Sequence, residues 1–542
     1  MRRLPLAITA IMVATAAAAR DRAPPAGTAA DASRAQARIM DQGLNHSQVM
    51  ATAQYMADVI GGRMTNSPAM RRAEAWTQER YRAWGLVNVH KEPFAFGRGW
   101  WIERSSVRMT SPRPIQLTAI PIAWTPATSG ALTAPVIVAP LKTDRDFAKW
   151  HGKLAGRVVL VTEPGTGDEP DRPPFRRLGG DDLGKLGQFR PDRYDPADLD
   201  RSLRRGGFTA RMEDFLKAEG AVAYATMSYR DGKLVSGEGY RFARGDTSPL
   251  PAVQIAAEDY RRLVRLALTG PAPTLEINSD VRFDDSDPNA YNIIADIPGT
   301  DPRAGYVMAG AHLDSWVAGD GAADNGAGSA MVMEAARILA ATGVRPKRTI
   351  RFALWAGEEQ ALLGSIAYVE QHLANRAPGR PWPTGQDVYY QYAYRWPIVR
   401  KPGWGELAAY FNIDNGSGRL RGIYAENDPA VVPIFEEWMR PFRSMGMNTV
   451  SIQRTGGTDH VFMQSVGVPG FQFIQDPLDY GSRVHHSSID TFDHLKADDM
   501  RQGATVLASF LLDAANAAQP LPRPPLPTEP GNSDPYQVKA ED

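Results

Sequence analysis

The chain has 542 residues, more than one compact core organises, so two domains with tails are expected. Lys plus Arg and Asp plus Glu number 61 each, which removes any global electrostatic case for nucleic acid or an anionic membrane. With no cysteine, thiol catalysis, disulfides, iron–sulfur clusters and thiolate-bound zinc are excluded, so a tightly held metal must use imidazole and carboxylate.

Residues 1–19 read as an export signal. Arg2 and Arg3 precede an apolar run from Leu4 that ends in the small residues Ala17, Ala18 and Ala19. That run is short and Ala-rich for a membrane span of about 20 residues. The mature protein is therefore expected to be secreted or periplasmic, with no membrane contact after cleavage. The export route stays open. An Ala-, Pro- and Asp-rich flexible lead-in is expected over 20–35. Helices are predicted from Ser47 to Ile60 and from Ala69 to Trp84, the second with Ser67 as cap, Pro68 in its first turn and Gly85 as its stop.

Over 115–277 the texture changes to short β-like runs between glycines and prolines, clearest at Val136–Val138, Val158–Val161, Ala221–Ala225 and Val253–Ile255. The charged, Pro-rich stretch from Pro164 to Arg205 is expected to be a long surface loop. No catalytic constellation falls here, so this block is predicted to be an inserted, β-rich, non-catalytic domain. The flanking segments 36–114 and 278–518 would form the catalytic domain. From Asn292 strand and helix alternate, with buried strands predicted at Tyr306–Ala309, Thr349–Trp355, Leu407–Ile413 and Phe471–Ile474 and a helix over Ser329–Ala341. The fold class is α/β, with a mixed, largely parallel sheet covered by helices. Residues 519–542 are Pro-rich and expected to be a disordered tail.

Four acidic or histidine clusters follow those strands, at the end of an open sheet where ligands bind. They are His312-Leu313-Asp314 with Asp324-Asn325-Gly326, then Glu358-Glu359, then Asp414, then His485-His486 shortly before Asp490-Thr491. Singly each has a bland reading: a turn, a solvated helix face, a surface hydrogen bond. Together, all of oxygen or imidazole type, they point to one shared site of the mixture zinc favours.

The strings His312-Leu313-Asp314-Ser315-Trp316, Asp324-Asn325-Gly326-Ala327-Gly328 and Glu358-Glu359-Gln360 closely resemble the co-catalytic zinc exopeptidases. That family includes bacterial leucyl aminopeptidases and plasma glutamate carboxypeptidase, and the resemblance is strongest to the latter branch. It continues through Thr458-Asp459-His460 and His486-Ser487-Ser488-Ile489-Asp490-Thr491, and near the start through Gly62-Arg63 to Leu86. The block 115–277 is similar to the protease-associated domain that the family often carries.

The resemblance implies two Zn²⁺ with Asp324 bridging them, His312 and Asp414 on one, Glu359 and His486 on the other, and Glu358 as general acid/base. Family spacing favours His486 over His485. Three carboxylates and a bridging hydroxide would balance the two ions, which makes burial tolerable. In an extended segment Glu358 and Glu359 would point opposite ways, one to the water and one to the metal. Asp314 is expected to hold the His312 imidazole as a catalytic support.

Asp459 is read either as a buttress to a ligand or as a structural pair with His460. Trp316 is read as a pocket wall or a buried core residue. Arg483 is the one obvious cation near the ligands for a substrate carboxylate, against its reading as a surface charge. Because carboxylates near the metals suit a free amine, an aminopeptidase is favoured over a carboxypeptidase or dipeptidase. The alternatives are a glutaminyl cyclase on the same fold, which uses one zinc, and a non-catalytic receptor-like relative. The expected partner is a peptide, and a homodimer stays open.

Overall fold

The structure is a computed structural model that describes residues 27–190, 193–195, 197–376, 387–531 and 538–539. The export signal expected over 1–19 lies outside the described residues. Among the described residues no helix is long and apolar enough to cross a membrane.

Two eight-stranded sheets organise the chain. The first contains β1 (Val87–Ala95), β2 (Asn289–Ile297), β3 (Tyr306–His312), β4 (Thr349–Trp355), β5 (Leu407–Asn412), β6 (Leu420–Tyr424), β7 (Thr449–Ser451) and β8 (Gly470–Gln475). Their spatial order is β1-β2-β4-β3-β5-β8-β6-β7. The central block β4-β3-β5-β8 is parallel, with Ala309 opposite Phe352 and Phe411, and Phe411 opposite Phe471. Antiparallel pairs flank it at β1/β2, β2/β4 and β8/β6.

Every residue of β3, β5 and β8 is buried. Parallel strands covered on both faces read as continuous apolar runs, which is why these segments stand out in the sequence. Helices α1 (Gly27–Leu44), α2 (Pro68–Ala83), α3 (Ala327–Thr342) and α4 (Ala497–Asn516) cover the sheet. α1, α3 and α4 pack together, α3 and α4 against β3, and α2 against β1 and β2. Small residues permit this: a Cβ on Gly503 of α4 would lie 2.4 Å from the Met331 sulfur of α3. α2 starts as expected, with Ser67 Oγ accepting the Met70 N–H at 3.2 Å and Pro68 opening the helix.

The second sheet takes, in spatial order, Ile115–Gln116, Gly99–Ser111, Thr274–Asp284, Leu132–Val138, Val158–Leu160, Ala223–Met227, Ala252–Ile255 and Ala119–Pro121. It has its own core, including Val136, Val158, Leu160, Ala225, Val253, Ile255 and Leu263. Its bounds differ from the 115–277 read in the sequence. Gly99–Ser111 and Thr274–Asp284 pair antiparallel along their whole length, from Gly99↔Asp284 to Ser111↔Thr274. The chain leaves the first sheet at Ala95↔Asn289 and re-enters it at the same pair, so the two crossings lie side by side.

Three further expectations are corrected. The stretch 164–205 is not a plain surface loop. It holds the helix Gly180–Leu186 and the start of the helix Asp198–Ala218. It also reaches the catalytic half, where Arg177 pairs with Asp476 just past β8 (2.9 Å) and with Asp499 on α4 (2.7 Å), and the Leu178 N–H meets Asp476 (2.9 Å). Both carboxylates are buried, so charge on this stretch serves docking rather than solvation. The lead-in expected over 20–35 is helical from Gly27, because Ala, Arg and Gln are strong helix formers. The tail expected to be disordered over 519–542 is ordered where it is described: Val538–Lys539 pairs with Arg193–Tyr194, and the segment up to Gly531 packs on the first sheet's domain. Leu521 is buried, and the Arg523 guanidinium donates to Leu407 O (2.6 Å) while lying 4.2 Å over the Trp404 ring. Proline fixes φ, so laying such a segment on a surface costs little entropy.

Candidate metal centre

β3, β4, β5 and β8 run parallel, so the loops after their carboxyl ends meet along one edge. His312 is the last residue of β3, Glu358 and Glu359 follow β4, Asp414 follows β5, and His486 lies in the loops beyond β8. Asp324 sits in the turn Ala322–Gly326 that leads into α3.

These side chains converge. His312 Nε2 is 3.4 Å from Asp324 Oδ1 and 3.4 Å from Asp414 Oδ1. His486 Nε2 is 2.9 Å from Glu359 Oε2 and 3.4 Å from Asp324 Oδ2. Asp324 therefore presents one oxygen to each histidine. Glu358 Oε2 stands back at 3.8 Å from His312 Nε2, and His485 Nε2 at 3.8 Å from Asp324 Oδ2. Of the adjacent histidines, His486 is the better placed. His485 is the more exposed and stacks on it at 3.7 Å.

The frame behind the cluster is polar and buried. The Asp490 carboxylate accepts the N–H groups of Ala323 (2.6 Å) and Asp324 (3.0 Å), which fixes the turn that carries Asp324. Asn325 ties the same turn to the end of β5 through Ile413 O at 2.9 Å. Arg63, fully buried, donates to the carbonyls of Leu313 (2.7 Å), Asp320 (2.8 Å) and Gly321 (2.7 Å). The sequence alone marks Asp490 and Arg63 only as parts of resembling strings and gives neither this role.

Asp314 does a different job from the one expected. The partner of His312 Nδ1 is the Asp314 backbone carbonyl at 2.9 Å; its carboxylate is 3.8 Å away. The carboxylate instead accepts the Glu358 N–H (3.2 Å), the Glu359 N–H (3.3 Å) and the Thr65 hydroxyl (3.1 Å). It thus organises the segment that presents both glutamates.

Burial dominates the electrostatics. It pushes Glu358 well above the ordinary carboxylate range, with Asp414, Asp459 and Glu359 adding and His312 opposing. It lifts Glu359 to about 7, Asp324 adding and His486 opposing. Against its own burial, Asp324 is held below the ordinary range by His312, His485 and His486. Acids that burial and mutual repulsion push up are acids that a divalent cation would settle.

A cation fits these residues on two further counts. Asp324 Oδ2 and Glu359 Oε1 are buried without a hydrogen-bond partner among the described residues. The ligand atoms of His312, Asp324 and Glu359 lie within 4.8 Å of one another, as do those of His312, Glu358 and Asp414. The donor set, imidazole and carboxylate without thiolate, suits zinc.

The cluster forms the floor of a cavity of about 330 Å³, whose walls include Tyr240, Tyr389, Tyr390, Thr458 and Tyr480. An adjoining cavity of about 470 Å³ shares Tyr389, Tyr390 and Gly456 and is also lined by Arg454. The remaining sequence candidates separate. Asp459 is buried, pushed up to about 8 by that burial, and close enough to raise Glu358. His460 is turned away, 3.3 Å from Glu426 and 3.0 Å from the Thr455 hydroxyl, as a structural pair but not with Asp459. Trp316 packs edge-on behind His486 at 6.1 Å and does not line the main cavity. Arg483 is exposed and does not line it either. The tyrosines and Glu238, whose carboxylate is 3.1 Å from His486 Nδ1, escaped the sequence reading.

Residues 292–511 match the model of Peptidase family M28. Carboxypeptidase Q of Bos taurus is 26% identical over 472 residues, covering 86% of this chain and 85% of that protein. Leupeptin-inactivating enzyme 1 of Streptomyces exfoliatus is 28% identical over 258 residues, covering 44% of this chain and 52% of that protein. Among solved structures, a Peptidase M28 precursor from Shewanella amazonensis shares the fold, with a TM-score of 0.65, 22% identity and coverage of 92% of this chain and 100% of that one. So does BSAP, a zinc aminopeptidase from Bacillus subtilis, with a TM-score of 0.56, 17% identity and coverage of 88% and 97%.

Proposed function

We propose that the chain is a zinc metallo-exopeptidase of the Peptidase family M28 kind, that it holds two zinc ions and that it uses Glu358 as its general base. The observation that carries this reading is the shared carboxylate, Asp324, with one oxygen toward His312 and the other toward His486. His312 and Asp414 would complete one position, Glu359 and His486 the other. Zinc bound there supplies Lewis acidity, polarising the scissile carbonyl and making water a better nucleophile at neutral pH.

The protein's own residues do the rest. Glu358, set back from both histidine-centred groups, takes the proton from the attacking water and delivers it to the departing amine. The Asp314 carboxylate keeps the Glu358-Glu359 backbone in place, and Asp490 does so for Asp324. Tyr240, Tyr389, Tyr390 and Tyr480 wall the cavity above the ligands and lower the local polarity, which strengthens charge interactions beside them.

The substrate is a peptide, and an aminopeptidase is favoured. Among the described residues, the wall of the metal cavity carries acids and tyrosines but no Arg or Lys, which suits a free α-amine. A carboxypeptidase or dipeptidase reading is favoured by Arg454 in the adjoining cavity and by the name of the Carboxypeptidase Q relatives. The apolar run 4–19 supports export of the mature enzyme, and the second sheet is proposed to be a protease-associated domain. The test is zinc content together with one peptide in three forms: unmodified, N-acetylated and C-amidated. Two zinc ions per chain and loss of only the acetylated substrate are expected. One tight zinc with no second site would favour a cyclase. Loss of only the amidated substrate would favour a carboxypeptidase.

A further inference from the structure

From the inserted block, Glu238 reaches a candidate zinc ligand directly. Glu238 lies between the strands Ala223–Met227 and Ala252–Ile255, and its Oε1 is 3.1 Å from His486 Nδ1. The opposite ring nitrogen, Nε2, faces Glu359 at 2.9 Å and Asp324 at 3.4 Å. A neutral imidazole has one N–H and one lone pair, and a carboxylate only accepts. The contact therefore places the proton on Nδ1 and turns the Nε2 lone pair toward Glu359 and Asp324.

Glu238 is itself held in place. The side-chain oxygen of Gln254 accepts the N–H groups of Ser236 (2.6 Å) and Gly237 (3.3 Å), and Gly237 O accepts the Ala123 N–H at 2.8 Å. Gly237 has a φ of 69°, and a Cβ there would come 2.8 Å from Pro121 O, so the backbone can take this path only with glycine. The loop that carries His486 is tied to the same segment, since the Ser488 N–H donates to Val235 O at 2.9 Å. Arg230, also from the second sheet, donates to His485 O and, at 3.3 Å, to Gly481 O. His312 needs none of this, because its Nδ1 partner is the Asp314 carbonyl.

We propose that Glu238 is the positioning residue for His486, so that the inserted sheet sets the zinc affinity of one of the two positions. This rests on the two-zinc reading above. The carboxylate fixes the tautomer and ring orientation and raises the basicity of the ligating nitrogen. Removing such a partner typically weakens metal binding by about 10–100-fold.

The experiment titrates zinc into metal-free full-length protein against a competing chelator, for wild type, Glu238→Ala and Glu238→Gln, with melting curves of the metal-free proteins. Glu238→Ala is expected to keep one zinc at wild-type affinity and to bind the other about 10–100-fold more weakly. Glu238→Gln, whose amide oxygen still accepts from Nδ1–H but carries no charge, should fall between. Metal-free melting should be the same in all three. Unchanged affinity at both positions in Glu238→Ala overturns the inference, as does equal weakening of both with a lowered metal-free melting temperature. Should Glu238→Ala not fold, unchanged affinities in Glu238→Gln overturn it alone. A wild-type protein that binds fewer than two zinc ions instead defeats the reading on which the inference rests, and that measurement is made before any variant.

Discussion

His312 and His486 offer the same ligand on unlike supports. His312 closes a fully buried strand and gives its Nδ1 proton to the carbonyl of Asp314, two residues along, so its orientation is a local matter. His486 sits in a loop at a left-handed backbone position (φ 54°), and its Nδ1 partner is 248 residues away, in an irregular segment between two strands of the other sheet. One end of the centre is carried by the first sheet itself. The other exists only when two sheets are docked. A metal site can thus be chemically symmetric and yet be rigid at one end and conditional at the other.

The largest effect that bears on this difference is metal removal. Chelation is expected to abolish peptide hydrolysis, with zinc restoring it, and the ion near Glu359 and His486 should leave first. Metal analysis of the half-depleted protein, compared with Glu359→Gln, checks the order. Depletion that empties both positions together would erase the proposed asymmetry. Next is Glu358→Gln, which should lower kcat by about 10²–10⁴-fold with zinc content intact, since Glu358 stands back from both ends. If Glu358→Gln lost zinc and Glu359→Gln did not, the two roles would have to be exchanged.

A smaller effect is expected from Asp314→Asn. An amide can no longer accept from both glutamate N–H groups, so kcat should fall by about 10–100-fold, while the backbone carbonyl still holds His312 and its zinc. Selective loss of the zinc at His312 would show that the carboxylate, not the carbonyl, supports that ring.

The smallest concerns a background that both ends share. Burial lifts Asp513, on α4, to about 7 from an ordinary value of 3.8, with Glu437 adding. Below the lower value both folded and unfolded chains hold the proton. As pH rises from about 4 to 7 the unfolded chain releases it and the folded chain keeps it, so stability falls over that window. Asp513→Asn should therefore raise the melting temperature more at pH 8 than at pH 4. An equal gain at both would remove Asp513 as the source.

What could be read from the sequence follows the same division. β4 is read residue for residue at Thr349–Trp355, and β3, β5 and β8 nearly so, because strands buried on both faces are unbroken apolar runs. His312 is legible because it closes such a strand, Glu358, Glu359 and Asp414 because they follow one within a few residues, and Asp324 because its Asp324-Asn325-Gly326 string precedes a helix. The long ribbon Gly99–Ser111 with Thr274–Asp284 is not legible, since its outward face is charged and Ser279 interrupts the inner alternation of Leu275, Ile277 and Val281. Glu238 carries no local signal at all. It lies between two glycines in an irregular segment, and its meaning depends on a histidine that only the folded chain brings near. Tyr389 and Tyr390 are hidden for the same reason.

The proline-rich end of the chain has a practical corollary. Anyone trimming the gene for expression would be tempted to stop after Ala518. That cut removes Leu521 from its seat, withdraws the Arg523 guanidinium from Trp404 and from the carbonyl that begins β5, and strips Leu526 from Gly467. The shortened polypeptide would keep every proposed zinc ligand. It would also present a newly bared oily face to its neighbours, so poor yield and clumping in the test tube would say nothing about the chemistry of the enzyme.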